Sequence, residues 1–142
     1  MADLHEAVIS ILKEPQEIFD LFGGEAGVDE PRVYGIEVPK AQADDMPRKA
    51  VVVRQSGLGG SSGGYARIQK TLLDVACYGE TPYEAELLRL EVNRFLKGFR
   101  RRMSQGFLLH SFDLVTGPLP LREPDTDWPY TLETWRCMAS ET

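Results

Sequence analysis

The chain has few of the residues that carry most catalytic and metal-binding chemistry. Its 142 residues include only two histidines, His5 and His110, and only two cysteines, Cys77 and Cys137. Neither histidine has a carboxylate or a cysteine at ligand spacing, so we expect no zinc site. No nucleophile and base occur at a spacing that indicates a catalytic pair. These absences predict a structural or assembly protein without catalytic residues, bound metal or cofactor, rather than an enzyme.

Long apolar segments are also absent. No stretch approaches the roughly 20 apolar residues that cross a bilayer, and the first residues form an amphipathic pattern rather than a signal peptide. Cys77 and Cys137 lie in separate apolar strand patterns without a Cys-x-x-Cys motif. We therefore expect a soluble protein with no membrane partner, made in a cytoplasm, with both cysteines as buried free thiols.

Positive charge is scarce, which argues against nucleic-acid binding as the main role. The formal net charge is -6, and phosphate contacts need lysine and arginine. The charge is unevenly distributed. Residues 107–142 carry six acids and two bases, whereas residues 80–106 carry four acids and six bases. This difference could pair one subunit with the next, or it could reflect two differently solvated faces.

The apolar and charged fractions, 42% and 27%, are those of an ordinary globular domain, and residues 1–142 are expected to form a single one. Asp3 is placed to cap a first helix that Pro15 breaks. Thr81, Pro82 and Glu84 predict the start of a second helix, which extends to about residue 98. Alternating patterns predict strands over 33–38, 50–54, 67–78, 107–115 and 130–139. The predicted fold is α+β, an antiparallel or mixed sheet of four to five strands with two main helices on one face.

A stretch rich in glycine and serine separates the second and third predicted strands. It lacks the Gly-Lys-Ser/Thr ending and the following helix of a phosphate-binding loop. Small side chains pack poorly and lose much backbone entropy when ordered. We interpret the stretch as a long flexible hairpin loop that docks a partner. It consists of Gly57, Leu58, Gly59, Gly60, Ser61, Ser62, Gly63 and Gly64.

Two charged clusters have more than one interpretation. The run Arg100, Arg101 and Arg102 follows the second main helix, where positive charge suits the helix dipole. It could be solvated, dock an acidic neighbour or contact nucleic-acid phosphates. Glu123, Asp125 and Asp127 have the carboxylate density of a calcium loop but lack the glycine and closing glutamate of an EF-hand. A solvated acidic turn is the preferred interpretation of this cluster.

Four prolines stiffen the connection before the last predicted strand, at positions 118, 120, 124 and 129. A stiff surface segment is typical of a docking element. Trp128, between Asp127 and Pro129, is expected to be partly exposed and is the leading candidate for an interface anchor. Trp135, within the last strand, is expected in the core.

Several segments, taken in chain order, resemble one family of proteins. They are the helix pattern Val8-Ile-Ser-Ile-Leu12, the short strand before Pro39, the strand over 50–54, the junction Tyr78-Gly-x-Thr-x-x-Glu-Ala85, and Arg122-Glu-Pro-x-Thr-x-Trp-Pro129 leading into the last strand. Together they resemble the tail-terminator and tail-completion proteins of long-tailed phages and of phage-like gene transfer particles.

This resemblance implies a virion protein that is assembled in the host cytoplasm and lies in the neck between tail and head. Members of that family form a homohexameric ring that stops polymerisation of the major tail tube protein and joins the tail to the head connector. DNA passes through the lumen of the ring. We predict that Arg122, Glu123, Trp128 and Tyr130 form subunit or tail contacts. A head-side connector (stopper or adaptor) and a cellular nucleic-acid- or protein-binding module are the alternatives.

Overall fold

The structure is a computed structural model that describes residues 4–22, 32–35, 49–62, 68–124 and 126–141. Asp3, and the part of the first predicted strand beyond Gly35, lie outside these residues. The described elements are three helices and six strands. The helices are α1 (Leu4–Leu12), α2 (Gln16–Phe22) and α3 (Pro82–Lys97); the strands are β1 (Val33–Gly35), β2 (Ala50–Ser62), β3 (Ile68–Tyr78), β4 (Arg102–Ser104), β5 (Phe107–Arg122) and β6 (Pro129–Glu141).

The helices begin and end where the sequence indicates. Pro15 lies between α1 and α2. The first helix ends before it because proline lacks the N–H that would continue the helix. At the start of α3, the Thr81 hydroxyl accepts a hydrogen bond from the Glu84 N–H at 3.2 Å. The Glu84 carboxylate in turn accepts one from the Glu80 N–H at 3.0 Å. No helix of the described residues is long and apolar enough to cross a membrane.

The strands form one mixed sheet in the order β1-β2-β3-β6-β5-β4. The β1–β2 pair is parallel and every other pair is antiparallel. At the centre of the sheet, β3 and β6 pair without interruption from Ile68 opposite Ser140 to Tyr78 opposite Tyr130. The neighbouring pair β5–β6 is less regular and shifts register three times. The centre of the sheet is therefore its most regular part.

The main core lies between the helices and one face of the sheet. Trp135 of β6 and Leu88 of α3 are fully buried there, together with Cys77 and Cys137. Both cysteines are free thiols, as predicted. A smaller cluster occupies the opposite face, which we call the helix-free face because none of the described helices packs against it. It contains Ala50, Val52, Ala76 and Tyr78, with Tyr34, Trp128, Tyr130 and Leu132 packed against them.

The structure agrees with the predicted α+β class but differs from the prediction in the number of elements. Within the described residues, the sheet has six strands rather than four to five, and three helices are present rather than two. The additional strand β4 forms a hairpin with β5 through Gln105 and Gly106, both at positive φ (51° and 85°). Such a two-residue turn matches the twist of paired strands. Arg102, which we assigned to the basic helix end, begins this strand.

The predicted flexible loop between β2 and β3 is also shorter than expected. β2 continues through the glycine-rich residues to Ser62, and Gly60 pairs with Thr71 after a register shift that follows Gln55. Backbone hydrogen bonds need no side chain, so glycine and serine can extend a ladder when a partner strand is available. Gly63 and Gly64 lie outside the described residues.

The predicted proline-rich connection is in part a strand. β5 continues to Arg122 and pairs with β6 from Leu119 opposite Leu132 to Arg122 opposite Pro129. Gly117 and Pro118, joined by a cis peptide bond, fall in the register shift between Thr116 and Leu119. Pairing survives the prolines because alternate residues of an antiparallel strand do not donate to the partner strand.

Candidate assembly surfaces

Four side chains lie together at the closed end of the β5–β6 hairpin: Tyr78 of β3, and Glu123, Trp128 and Tyr130 of the hairpin itself. We call these residues the hairpin cluster. The rings of Tyr78 and Tyr130 stack at a centroid distance of 5.1 Å. The Trp128 ring meets Tyr78 edge to face at 6.4 Å. Such aromatic pairs add about 0.5–1.5 kcal/mol beyond their buried area. The cluster therefore holds the β5–β6 connection against the helix-free face of the sheet.

Hydrogen bonds fix the conformation of the connection between the two strands. The Glu123 N–H donates to the Trp128 carbonyl at 3.0 Å, and the Asp127 N–H donates to the Glu123 carbonyl at 2.9 Å. Asp127 has a φ of 59°, which aspartate tolerates better than most residues. Arg122 Nη1 donates to the Asp127 carbonyl at 3.1 Å and lies 3.4 Å from its carboxylate. These hydrogen bonds hold together the residues on either side of Asp125, which itself lies outside the described residues.

Tyr78 connects the turn to the centre of the sheet. Its hydroxyl donates a hydrogen bond to the Glu123 carboxylate. Burial, followed by the hydrogen bond and the negative charge of Glu123, raises the pKa of Tyr78 well above its usual value. Burial and the Glu123 charge also raise the pKa of Tyr130. Both phenols therefore remain neutral hydrogen-bonding groups at physiological pH.

Beside the cluster, apolar side chains form a row across five strands. Successive register pairs join Tyr34, Val52, Ala76, Leu132 and Leu119 on the helix-free face. The row changes from buried to exposed as it crosses the sheet, and Leu119 at its far end is 48% exposed. Leu121, two residues on, is 41% exposed. An apolar surface at the end of a hairpin is typical of a contact site.

The run Arg100, Arg101 and Arg102, which we call the basic segment, lies at the other end of β5. Arg102 of β4 pairs with Leu109 near the start of β5, whereas Arg122 ends that strand. Arg102 forms an ion pair with Glu14 and lies 5.7 Å from the Phe99 ring centroid. Arg100 and Arg101 are exposed and form no ion pair within the part of the chain that the structure describes. These two arginines remain available to a partner.

The structure brings some of the predicted residues together and separates others. Glu123, Trp128 and Tyr130 form one cluster that Arg122 adjoins, while Arg100, Arg101 and Arg102 belong to a different surface. Trp128 is half-buried and Tyr130 is partly buried. The sequence analysis missed Tyr78 as the centre of the cluster. The pairing of its strand with the last strand, which places Tyr78 opposite Tyr130, was the signal that could have identified it.

Two clefts lie on the helix side. The larger, about 300 Å³, is lined by Asp20, Leu21, Phe22, Arg32, Lys49, Glu80 and Glu84. A second, of about 210 Å³, is lined by Pro15, Glu17, Ile18, Glu91, Arg94 and Phe95. Neither lining includes a histidine, a cysteine or a serine. Among the described residues, no group of three or more histidine, cysteine, aspartate and glutamate side chains is arranged to hold a metal.

A comparison with solved structures finds chains of similar fold. A chain in the virion of a native gene transfer agent (GTA) particle matches with a TM-score of 0.62 and 16% sequence identity, covering 96% of this chain and 94% of that chain. At this identity the match shows a shared fold over nearly the whole of both chains. No protein-family model and no curated protein sequence matches the chain.

Proposed function

We propose that this chain is a structural virion protein that forms a ring at the head-proximal end of a phage-like tail. There it stops polymerisation of the tail tube and joins the tail to the head connector. The observation that carries the proposal is the fold shared, over almost the full length of both chains, with a chain of the gene transfer agent virion. The segments that resemble tail-terminator proteins support the finer assignment within a virion.

The surfaces of the chain support a role in assembly. A ring requires a contact between two different patches on successive copies, closed by rotation. The hairpin cluster, with the exposed side chains of Leu119 and Leu121 beside it, forms one patch at the closed end of the β5–β6 hairpin. The basic segment at Arg100 and Arg101 forms another at the opposite end of β5. Separate patches of different chemistry suit a subunit that meets several neighbours at once.

The proposed ring is a homohexamer with DNA passing through its lumen, as the resemblance implies. Its other partners are the major tail tube protein and the head connector. A net charge of -6 per subunit is compatible with the passage of DNA, because a predominantly basic lumen would hold the phosphates. In this proposal the chain needs neither a cofactor nor a metal, since joining two assemblies involves no covalent chemistry.

The decisive experiment is negative-stain imaging of particles from cells that lack this chain, with the same cells resupplied with it as the control. Tails of uncontrolled length, lying apart from filled heads, are the result expected for a terminator. Tails of normal length beside heads that have lost their DNA would instead assign the chain to the head-side connector. Normal particles in the deleted strain would contradict a virion role and favour a cellular binding module.

A further inference from the structure

Helix α3 has apolar side chains on two opposite faces. Ala85, Leu88 and Val92 are fully buried against the sheet. Tyr83 and Leu90 lie on the opposite side of the helix, at a spacing of seven residues that returns to the same face. They are 71% and 46% exposed. Leu87 lies between them on the same face, so the outer surface of α3 carries an apolar stripe that its own core does not use.

The two ends of this stripe carry opposite charge. Residues 80–90 contain three acids and one base, whereas residues 91–103 contain one acid and five bases. Several of these charges are neutralised within the chain. The ion pairs are Arg89 with both Glu86 and Glu133, Arg94 with Glu91, and Arg102 with Glu14.

The charges that remain lie at the two ends. Among the residues that the structure describes, neither Glu80 nor Glu84 has an ion-pair partner at the beginning of α3, and the same holds for Lys97, Arg100 and Arg101 beyond its end. Each end also carries a strongly exposed apolar side chain, Tyr83 in the acidic patch and Met103, 53% exposed, in the basic patch. The two patches thus match each other in chemistry.

We propose that the acidic patch of one copy (Glu80, Tyr83 and Glu84) binds the basic patch of the next (Lys97, Arg100, Arg101 and Met103). This inference rests on the proposed ring and identifies its subunit contact. The patches cannot meet within one copy, because Glu84 and Lys97, their nearest members along α3, lie about 20 Å apart along the helix axis. Two unlike patches of opposite sign form the heterologous contact that a ring requires. Contact between them buries Tyr83 and Met103 and gives the two unpaired acids of one end basic partners at the other.

Disulfide cross-linking in assembled particles tests the contact. Tyr83→Cys and Met103→Cys are introduced together, and purified particles are oxidised and separated without reductant. Cys77 and Cys137 are buried and contribute little background. The expected result is a ladder of covalent multimers that a reductant abolishes, with only monomers from each single variant. The matched control combines Tyr83→Cys with Val115→Cys, an exposed side chain that belongs to none of the proposed contact surfaces, and should yield no ladder.

Each other outcome contradicts a different part of the inference. Cross-linked dimers without larger products would mean that the α3 helices of two copies pair antiparallel about a two-fold axis. That result overturns the head-to-tail contact. Monomers alone, in joined particles that contain the double variant, would exclude this surface while leaving the proposed function intact. If particles purified from wild-type cells do not contain the chain, the proposed function itself is contradicted.

Charge reversal provides a second, independent readout. Arg100→Glu with Arg101→Glu is expected to lower the yield of joined particles at least tenfold, because the basic patch then repels the acidic one. Adding Glu80→Arg to the same chain should restore part of the yield. Lys70→Glu with Arg136→Glu, at exposed positions on β3 and β6, is the control, because it changes the net charge by the same amount. If reversal at Arg100 and Arg101 has no more effect than this control, the basic patch is not the contact.

Discussion

Arg89 of α3 lies against Glu133 of β6, a carboxylate that is only 1% exposed. Arg89 Nη1 is 3.4 Å from Glu133 Oε2, and Asn93 Nδ2 donates to the same oxygen at 2.9 Å. The Arg89 guanidinium also contacts Glu86, and its own side chain is 11% exposed. A charge in this position is tolerated because an opposite charge and a hydrogen-bond donor accompany it. The pair thus links the longest helix to a central strand of the sheet.

Arg89→Met should therefore lower the free energy of unfolding by about 3 kcal/mol, because it leaves the Glu133 charge buried without its partner. Glu133→Gln added to Arg89→Met should recover part of the loss. Arg94→Met is the matched control, since Arg94 pairs with Glu91 but is 75% exposed, and it should cost under about 1 kcal/mol. Urea unfolding at neutral pH measures all three variants. Equal losses for Arg89→Met and Arg94→Met would show that the buried pair has no special role.

Gly117→Ala should destabilise the β5–β6 hairpin by about 2 kcal/mol or more. Gly117 has a φ of 107°, and a Cβ atom there would lie 2.7 Å from the Leu132 carbonyl oxygen. Gly106→Ala separates the two causes, because Gly106 also has a positive φ, 85°, but open space for a Cβ atom. Its cost should be smaller, about 1 kcal/mol. Thermal unfolding of both variants provides the comparison, and a larger loss for Gly106→Ala would contradict the close approach at Gly117.

The pKa of Tyr78 predicts a specific loss of stability at alkaline pH. Because its pKa is raised in the folded state, the unfolded chain releases this proton first. The contribution of Tyr78 to the free energy of unfolding is complete below pH ~10, the ordinary pKa of tyrosine. Above that pH it declines by about 1.4 kcal/mol per pH unit. Tyr78→Phe should remove this component from denaturant unfolding measured between pH 9 and pH 11.

The control for that experiment is Tyr83→Phe, since Tyr83 is mostly exposed and forms no hydrogen bond with the described residues. It retains Tyr78 and should therefore retain the alkaline loss of stability that Tyr78 causes. If the free energy of unfolding of Tyr78→Phe falls with pH as steeply as that of the wild type, burial and Glu123 do not raise the pKa of Tyr78.

The hairpin cluster can be tested as a docking surface with Trp128→Ala combined with Arg122→Ala. We expect the yield of joined particles to decrease at least tenfold, because the proposed anchor and the side chain that holds its turn are both removed. Trp128→Phe retains an aromatic ring beside Tyr78 and is the matched control. Circular dichroism of the purified double variant must show a folded chain, since part of Trp128 packs internally. Joined particles at the wild-type yield would exclude this surface from assembly.

Local features of the fold could be predicted from the sequence. The Thr81 cap, the break at Pro15 and the buried face of Leu73, Val75 and Cys77 all depend on neighbours a few residues away. Short-range steric and hydrogen-bonding rules determine them. The same rules failed where strand pairing overrode local preference. The glycines before Ser62 and the prolines after Gly117 indicated loops, but each segment pairs with a strand already present.

The candidate site was predictable only in part. Glu123, Trp128 and Tyr130 are close in sequence, so their common location followed from a turn. Tyr78 is separated from Glu123 by 45 positions, and Arg89 from Glu133 by 44. Nothing local indicates such pairs, because they depend on the register between β3 and β6 and on the helix that crosses the sheet. The charge asymmetry was visible in the sequence, but its division between the two ends of α3 required the structure.

The prolines of β5 have a consequence for the chain before assembly. Beyond Leu109, no described strand pairs with the outer side of β5. Pro118 and Pro120 bring no N–H to that edge, and the register shift at Gly117 interrupts its line. An edge of this kind is a poor template for a strand from another molecule. The chain can therefore reach a high concentration without edge-to-edge aggregation along this strand.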